Sequence, residues 1–288
     1  MKKYIFIGVA FFILLLITMF FVTNRKVINK DNEVIMIREE NDDSTVLLKY
    51  YPENNYIVEN RVYFSNPNYN ANKKENMVVV KKVGDIDEIW EITQYKDTDS
   101  SFKDIRKIYT GENISNPKFI PNKDVISFIK DNYLYVLDIN QNEESKVLNI
   151  TLEDYEWMDD VNVLYTEKSS DDNYNIMKYN IETEEKTLFR TNASEVSLSS
   201  NKEFLGYRLG DNKNIVRIES LDAKKVIYEV KNDYDFGKFK VSDDGETLIA
   251  SIYKLSKSKV VKINCKNNKQ KLIIDSVLPS TIDWKYVK

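Results

Sequence analysis

Residues 155–190 read YEWMDDVNVLYTEKSSDDNYNIMKYNIETEEKTLFR. Four short runs stand out, Tyr155–Met158, Val161–Glu167, Asn175–Ile181 and Lys186–Arg190, in which apolar and polar residues alternate and Val, Ile, Tyr and Phe recur. Alternation at period two with β-branched and aromatic residues predicts half-buried strands. Between the runs lie Asp-Asp, Ser-Ser-Asp-Asp-Asn and Glu-Thr-Glu-Glu. Asp and Asn favour turns because their short side chains hydrogen-bond the local backbone. The segment predicts a four-stranded unit.

The unit recurs. It begins again at Asn116 (NPKFIPNKDVISFIKDNYLYVLDINQNEESKVLNI), at Glu195 (EVSLSSNKEFLGYRLGDNKNIVRIESLDAKKVIYEV) and at Phe236 (FGKFKVSDDGETLIASIYKLSKSKVVKINCKNNKQKLIIDSV). With the apolar residue of the opening strand as marker, Phe119, Trp157, Leu198, Phe239 and Trp284 follow at spacings of 38, 41, 41 and 45. A weaker unit precedes them, Arg61–Phe64, Met77–Lys82, Glu88–Thr93 and Ile105–Thr110, stretched by loops around 66–76 and 95–103. Four strands repeating at this period mark the blades of a β-propeller, whereas a sandwich has no such repeat. Upstream, Val34–Ile37, Thr45–Tyr50 and Tyr56–Val58 make a blade without an opening strand, and Thr281–Val287 is an opening strand without a blade. Joining the two ends removes the open edge that invites aggregation. The expected fold class is all-β, a six-bladed β-propeller over 33–288 with a split closing blade, preceded by one N-terminal transmembrane helix.

Two of the openings, NPKFIPNKDVISFI (116–129) and GKFKVSDDGETLIA (237–250), resemble the blade openings of TolB-like propellers, where a Pro, an aromatic, an S-P-D-G-type turn and an apolar strand follow in order. The resemblance covers roughly residues 33–288. This chain departs from the pattern by carrying Asp or Asn where glycine is usual, and only Ser242-Asp243-Asp244-Gly245 keeps the turn nearly whole. The resemblance implies a binding platform, an envelope scaffold or the non-catalytic partner of a peptidase domain. Fold alone assigns no activity.

Tyr4 to Val22 (YIFIGVAFFILLLITMFFV) is a 19-residue run without a charge. As a helix it is roughly 28 Å long, enough to cross a bilayer. A cleaved signal peptide has a shorter apolar core followed by small residues, and here the run ends in Met19-Phe20-Phe21-Val22. We expect an uncleaved signal anchor contacting lipid through residues such as Tyr4, Phe11, Leu15, Phe20 and Val22, after a short cytoplasmic tail (1–3) and before a linker (23–32). The basic flanks, Lys2 and Lys3 before the run and Arg25, Lys26 and Lys30 after it, by count alone slightly favour the opposite orientation. The resemblance of the start to an export signal places the propeller on the extracytoplasmic side of the cell membrane.

The chain has 288 residues, a formal net charge of −4 and no histidine. The balance offers no basic excess for nucleic acid. Without histidine there is no Ser-His-Asp or Cys-His catalysis and no His-ligated zinc. The single cysteine, Cys265, makes no internal disulfide. It stands where Ile139, Ile181 and Leu221 stand in other units, which predicts a core thiol. The clusters Asp85/Asp87/Glu88, Asp97/Asp99, Asp159/Asp160, Asp171/Asp172 and Asp243/Asp244 sit where turns are needed and lack the full calcium-loop pattern. Trp90, Trp157 and Trp284 read as core. No cofactor and no metal are expected. Tyr-rich segments around 49–56 and 66–76 suit an adaptable recognition surface, which nominates Tyr50, Tyr51, Tyr56 and Tyr69 as ligand contacts. The function expected is non-catalytic binding of an envelope protein. The alternative is an envelope-carbohydrate-binding protein or glycan-active enzyme with carboxylates in the propeller funnel, which needs acids converging on the channel.

Overall fold

A computed structural model describes residues 33–41, 44–52, 54–69, 76–94, 102–149, 155–169, 173–210, 212–277, 279 and 281–285. The anchor residues Tyr4, Phe11, Leu15, Phe20 and Val22, the tail and the linker lie outside them. Among the described residues no helix is long and apolar enough to cross a membrane.

The chain opens with β1 (Glu33–Asn41), β2 (Ser44–Tyr51) and β3 (Tyr56–Val62). Blade I follows as β4 (Ser65–Tyr69), β5 (Asn76–Val83), β6 (Ile86–Gln94) and β7 (Phe102–Gly111). Blade II is β8 (Ile114–Phe119), β9 (Val125–Lys130), β10 (Tyr133–Asp138) and β11 (Glu143–Asn149), and blade III is β12 (Tyr155–Trp157), β13 (Asn162–Lys168), β14 (Tyr174–Asn180) and β15 (Lys186–Arg190). Blade IV is β16 (Ala193–Leu198), β17 (Phe204–Leu209), β18 (Ile215–Ser220) and β19 (Lys225–Lys231), and blade V is β20 (Asp235–Val241), β21 (Thr247–Lys254), β22 (Lys257–Asn264) and β23 (Lys269–Asp275). The last strand, β24 (Thr281–Lys285), pairs antiparallel with β1 and completes blade VI in the order β24-β1-β2-β3.

All six sheets are four-stranded, and closure by the two chain ends is as expected from the sequence. Each of the six junctions between neighbouring blades holds its own apolar cluster. Ile35 and Leu47 meet Phe64 and Met77 between VI and I, and Val34 and Leu48 meet Ile249 and Val260 between V and VI. The remaining four junctions, I–II, II–III, III–IV and IV–V, are filled in the same way. Propeller stability comes from these face-to-face contacts, in which successive residues of the inner strands are buried against opposite neighbours.

One boundary differs from the sequence reading. Arg61–Phe64 does not open blade I; Arg61 and Val62 end β3, and Ser65–Tyr69 is the opening strand. The run at Arg61 has the same alternation as a first strand, so only its pairing with β2 decides its blade.

First strands carry a recurrent bulge, between Ser65/Asn68, Ser115/Lys118, Ser194/Ser197 and Phe236/Phe239. The residue after the first of each pair is Asn66 (φ 48), Asn116 (φ 50) or Glu195 (φ 53), and Gly237 in blade V. Asn reaches the left-handed region more readily than most residues, which explains how so few glycines serve so many tight sites.

Candidate functional site

The first strands of neighbouring blades touch around the ring, β24 with β4, β4 with β8, β12 with β16, β16 with β20 and β20 with β24, so they wall the axis. Their register is set by the hairpin into the second strand. Ile120, Met158, Ser199 and Ser242 each donate a backbone N–H across that turn, to Val125, Asn162, Phe204 and Thr247. This aligns Phe119, Trp157, Leu198 and Val241, and it moves the blade V marker two residues beyond Phe239. Phe239 and Val241 both lie in the IV–V cluster, two residues apart on one side of the strand, so apolarity alone does not tell them apart.

The residues just before those markers are Lys118, Glu156, Ser197 and Lys240, which point the other way. Lys118 Nζ lies 3.1 Å from Glu156 Oε1, and Lys240 Nζ lies 3.4 Å from the same oxygen. Lys240 also lies 3.4 Å from Asp283 Oδ1. On its other oxygen Asp283 accepts from the Tyr69 backbone N–H at 3.2 Å and from Asn68 Nδ2 at 3.4 Å. Lys118 in turn donates to the Tyr155 carbonyl at 2.6 Å. The chain of contacts runs through blades I, VI, V, III and II.

Blade IV completes the circle differently. Lys202 lies in the turn between β16 and β17 with φ 63, at the position that Gly245 (φ 69) holds in blade V. Both turns share a frame: Ser199 and Ser242 hydroxyls accept from the backbone of Phe204 and Thr247, and the side chains of Asn201 and Asp244 accept from Glu203 and Glu246. A lysine in a glycine position is strained, as are Lys224 (φ 50) and Leu255 (φ 55) in turns of blades IV and V. Among the described residues the Lys202 ammonium has no ion pair, and the buried Ser197 Oγ has no hydrogen-bond partner. The two uncommitted donors at the axis both come from blade IV.

The electrostatics follow. Burial alone raises the Glu156 carboxyl, but Lys118, Lys240 and Lys202 together hold it down at about 2. Burial pulls the half-buried Lys202 ammonium down to about 8, aided by repulsion from Lys240 and Lys118 and opposed by Glu156 and Asp283. Burial disfavours the Lys240 charge, yet Glu156 and Asp283 raise it above the usual lysine range. Acids do converge on the channel, as the glycan-enzyme alternative requires. A general acid, however, needs a raised carboxyl pKa, and Glu156 is shifted the opposite way. Three ammoniums, Lys118, Lys240 and Lys202, surround the carboxylates of Glu156 and Asp283, and Asp243 lies at the rim, where it accepts from the Asn201 N–H at 2.8 Å.

The nominated tyrosines do not form one surface. Tyr50 is 1% exposed in the V–VI cluster and Tyr51 is 0% exposed, which corrects the expectation that they face solvent. Lys49–Tyr51 ends strand β2, so its side chains are drawn into the interblade core. Tyr56 is 46% exposed and stacks on Tyr51 at 6.3 Å. Tyr69 is half-buried and meets the axial network through its backbone. Sequence reasoning missed Lys118, Glu156, Lys202, Lys240 and Asp283. Its available signal was charge at the polar phase of first strands, visible only once the register is known.

The acidic turns act as turns. Asp159 accepts from the backbone of Val161 and Asn162, and Asp244 from Glu246, whereas Asp87 lies in β6 and accepts from Ile114 at the start of blade II. Asp97, Asp99, Asp171, Asp172 and the Trp284 side chain lie outside what is described. Cys265 is buried, and burial raises its thiol to about 12. Its N–H donates to Glu246 just as Ile139, Ile181 and Leu221 donate to Asp124, Val161 and Glu203, which establishes the equivalence read from the sequence. Trp157 is 2% exposed with its indole donating to Ser127 Oγ at 2.8 Å, and Trp90 is half-buried between blades with Lys81 over its ring.

Solved structures share this architecture. TolB from Acinetobacter baumannii superposes with a TM-score of 0.68 at 11% identity, over 91% of this chain and 69% of that one. The fold is TolB-like. A putative TolB from Agrobacterium tumefaciens gives 0.59 at 9% identity, over 86% and 90% of the two chains. A chain of the nidogen/laminin complex gives 0.62 at 9% identity, over 89% and 100%. No family profile and no curated protein matches the sequence. At these identities the likeness of this TolB-like propeller to its neighbours is one of fold.

Proposed function

We propose that this TolB-like propeller is a non-catalytic protein-binding module of the bacterial cell envelope, tethered to the membrane by residues 4–22, and that its channel mouth receives an acidic segment of a partner. The observation that carries the reading is Lys202, an ammonium without an ion-pair partner among the described residues, beside a network that uses both of its own carboxylates on Lys118 and Lys240. An incoming carboxylate pairs with Lys202 and supplies an acceptor for Ser197. Charge-assisted hydrogen bonds of this kind are among the stronger polar contacts.

Topology supports a membrane-proximal partner. In blade VI, β1 occupies the second-strand place and begins at Glu33, paired with Lys285 at the end of β24. First strands end at the turn that carries Lys202 in blade IV, so the chain enters the propeller on the same face as the channel mouth. A linker of residues 23–32 after an anchor at 4–22 directs that face to the membrane.

The test is in-cell crosslinking of the full-length protein, affinity capture and mass spectrometry. A stoichiometric membrane or envelope protein is expected. Capture of glycan alone, with no protein above background, contradicts the reading.

A further inference from the structure

A second cleft opens on blade V, away from the axis. Between Lys254 and Ile274 the chain carries seven lysines and no acid, in a protein whose net charge is −4. Lys269 and Lys271 lie on the outermost strand, where lysines guard an open edge against pairing. Lys257 and Lys259 do something else. They share the side of β22 that carries Val261 and Ile263, both members of the cluster between blades IV and V. They therefore lie on the side of blade V that faces blade IV, and line a cleft of about 560 Å³ whose other walls are β23 and Tyr234, in the turn leading into blade V. This lies within the range of roughly 300–1,000 Å³ usual for small-ligand sites.

The lining has three chemistries. Leu272, 53% exposed, supplies apolar surface, with the partly buried Tyr234 beside it and the buried Val261 beneath. Gln270, Ser256 and Ser276 bring amide and hydroxyl groups, and Asp275 brings a carboxylate opposite Lys259 in the strand register. Lys257 has no ion pair among the described residues, and Lys259 rests over the Tyr234 ring at 4.4 Å. The exposed Leu272 side chain suits the C–H face of a pyranose, neutral polar groups suit its hydroxyls, and the ammoniums suit a carboxylate or phosphate on it. We propose that this cleft on blade V binds an acidic saccharide unit, a sugar carrying a carboxylate or a phosphate.

The site is independent of the channel. Ser256 and Lys257 follow the turn from second to third strand, on the face away from the channel mouth and from Glu33. A ligand can occupy it while the mouth holds a protein.

The test is a ligand-observed NMR titration of the full chain with D-glucuronate, glucose 6-phosphate, D-glucose and inorganic phosphate. Variants are the double substitution Lys257→Gln/Lys259→Gln, with folding checked by thermal unfolding, and Lys202→Gln. Glucuronate, glucose 6-phosphate or both are expected to bind about tenfold more tightly than glucose and phosphate, to lose about tenfold in the double variant and to be unchanged by Lys202→Gln. The two acidic sugars distinguish the carboxylate source from the phosphate source. Phosphate binding as tightly as glucose 6-phosphate with glucuronate no better than glucose, binding that survives the double variant, or no binding by about 20 mM overturns the proposal. Loss of binding in Lys202→Gln places the sugar in the channel and overturns it too.

Discussion

Lys240 Nζ stands 3.4 Å from Asp283 Oδ1, so the fifth blade and the C-terminal strand are joined at the axis as well as through their apolar faces. Lys240 is 6% exposed and Asp283 is 8% exposed. Removing one member of a buried pair strands the other charge, at a cost of about 3–5 kcal/mol. Lys240→Met is expected to destabilise by that order in urea unfolding, because it leaves both Glu156 and Asp283 short of a cation. Truncation after residue 280 removes β24 altogether, and loss of cooperative unfolding with association on size-exclusion chromatography is expected.

The acid limb of the stability curve carries a signature of Glu156. Its folded pKa is depressed from 4.5 to about 2, so its contribution is present above 4.5 and is lost as pH falls toward 2. The stability difference between the native protein and Glu156→Gln is expected to shrink across that window, measured by urea titrations at successive pH values. A difference that stays constant from pH 5 to about 2 contradicts the assignment.

Lys202 is expected to cost stability and provide binding. Its folded pKa is lowered from 10.5 to about 8, so its burden is full below 8 and is relieved as pH rises to 10.5. Lys202→Gly removes both the charge and the left-handed strain at φ 63, and a gain of about 1–2 kcal/mol at pH 7 is expected in the same unfolding assay. The converse substitution at the equivalent position, Gly245→Ala, places a Cβ 2.7 Å from Phe204 Cδ1 at φ 69 and is expected to destabilise by about 1–3 kcal/mol.

Cys265 is expected to be silent toward thiol reagents in the native state. Burial raises the thiol to about 12, and the thiolate is the reactive form. Labelling by a chromogenic disulfide reagent should track global unfolding in urea. Fast labelling without denaturant contradicts the core placement.

The architecture was legible because two periodicities coincide in it. Strand alternation at period two and the forty-residue recurrence together specify blades, and the incomplete units at the two ends specify closure. Even single positions transferred, as Cys265 does with Ile139, Ile181 and Leu221. What stayed hidden depends on pairing. The bulge in β20 leaves Phe239 and Val241 equivalent by composition, and Arg61–Phe64 alternates like the strand it is not. Aromatic residues at the end of β2 read as exposed loop because Pro52, Asn54 and Asn55 follow them, yet Tyr50 and Tyr51 belong to the core. The axial charges were invisible for a physical reason: Lys118, Glu156 and Asp283 are scattered along the chain, and an alternating strand needs polar residues on one side wherever it points.

The central claim is that a protein partner enters the channel mouth beside Lys202. Its most direct measurement is site-specific photocrosslinking in cells, with the photoreactive residue at Glu203 in the mouth turn or at Leu188, 55% exposed on the outer strand of blade III. The account predicts one protein adduct from Glu203, lost when Lys202→Gln is added, and none from Leu188. Adduct from Leu188 alone, or adduct from Glu203 that is indifferent to Lys202→Gln, contradicts it.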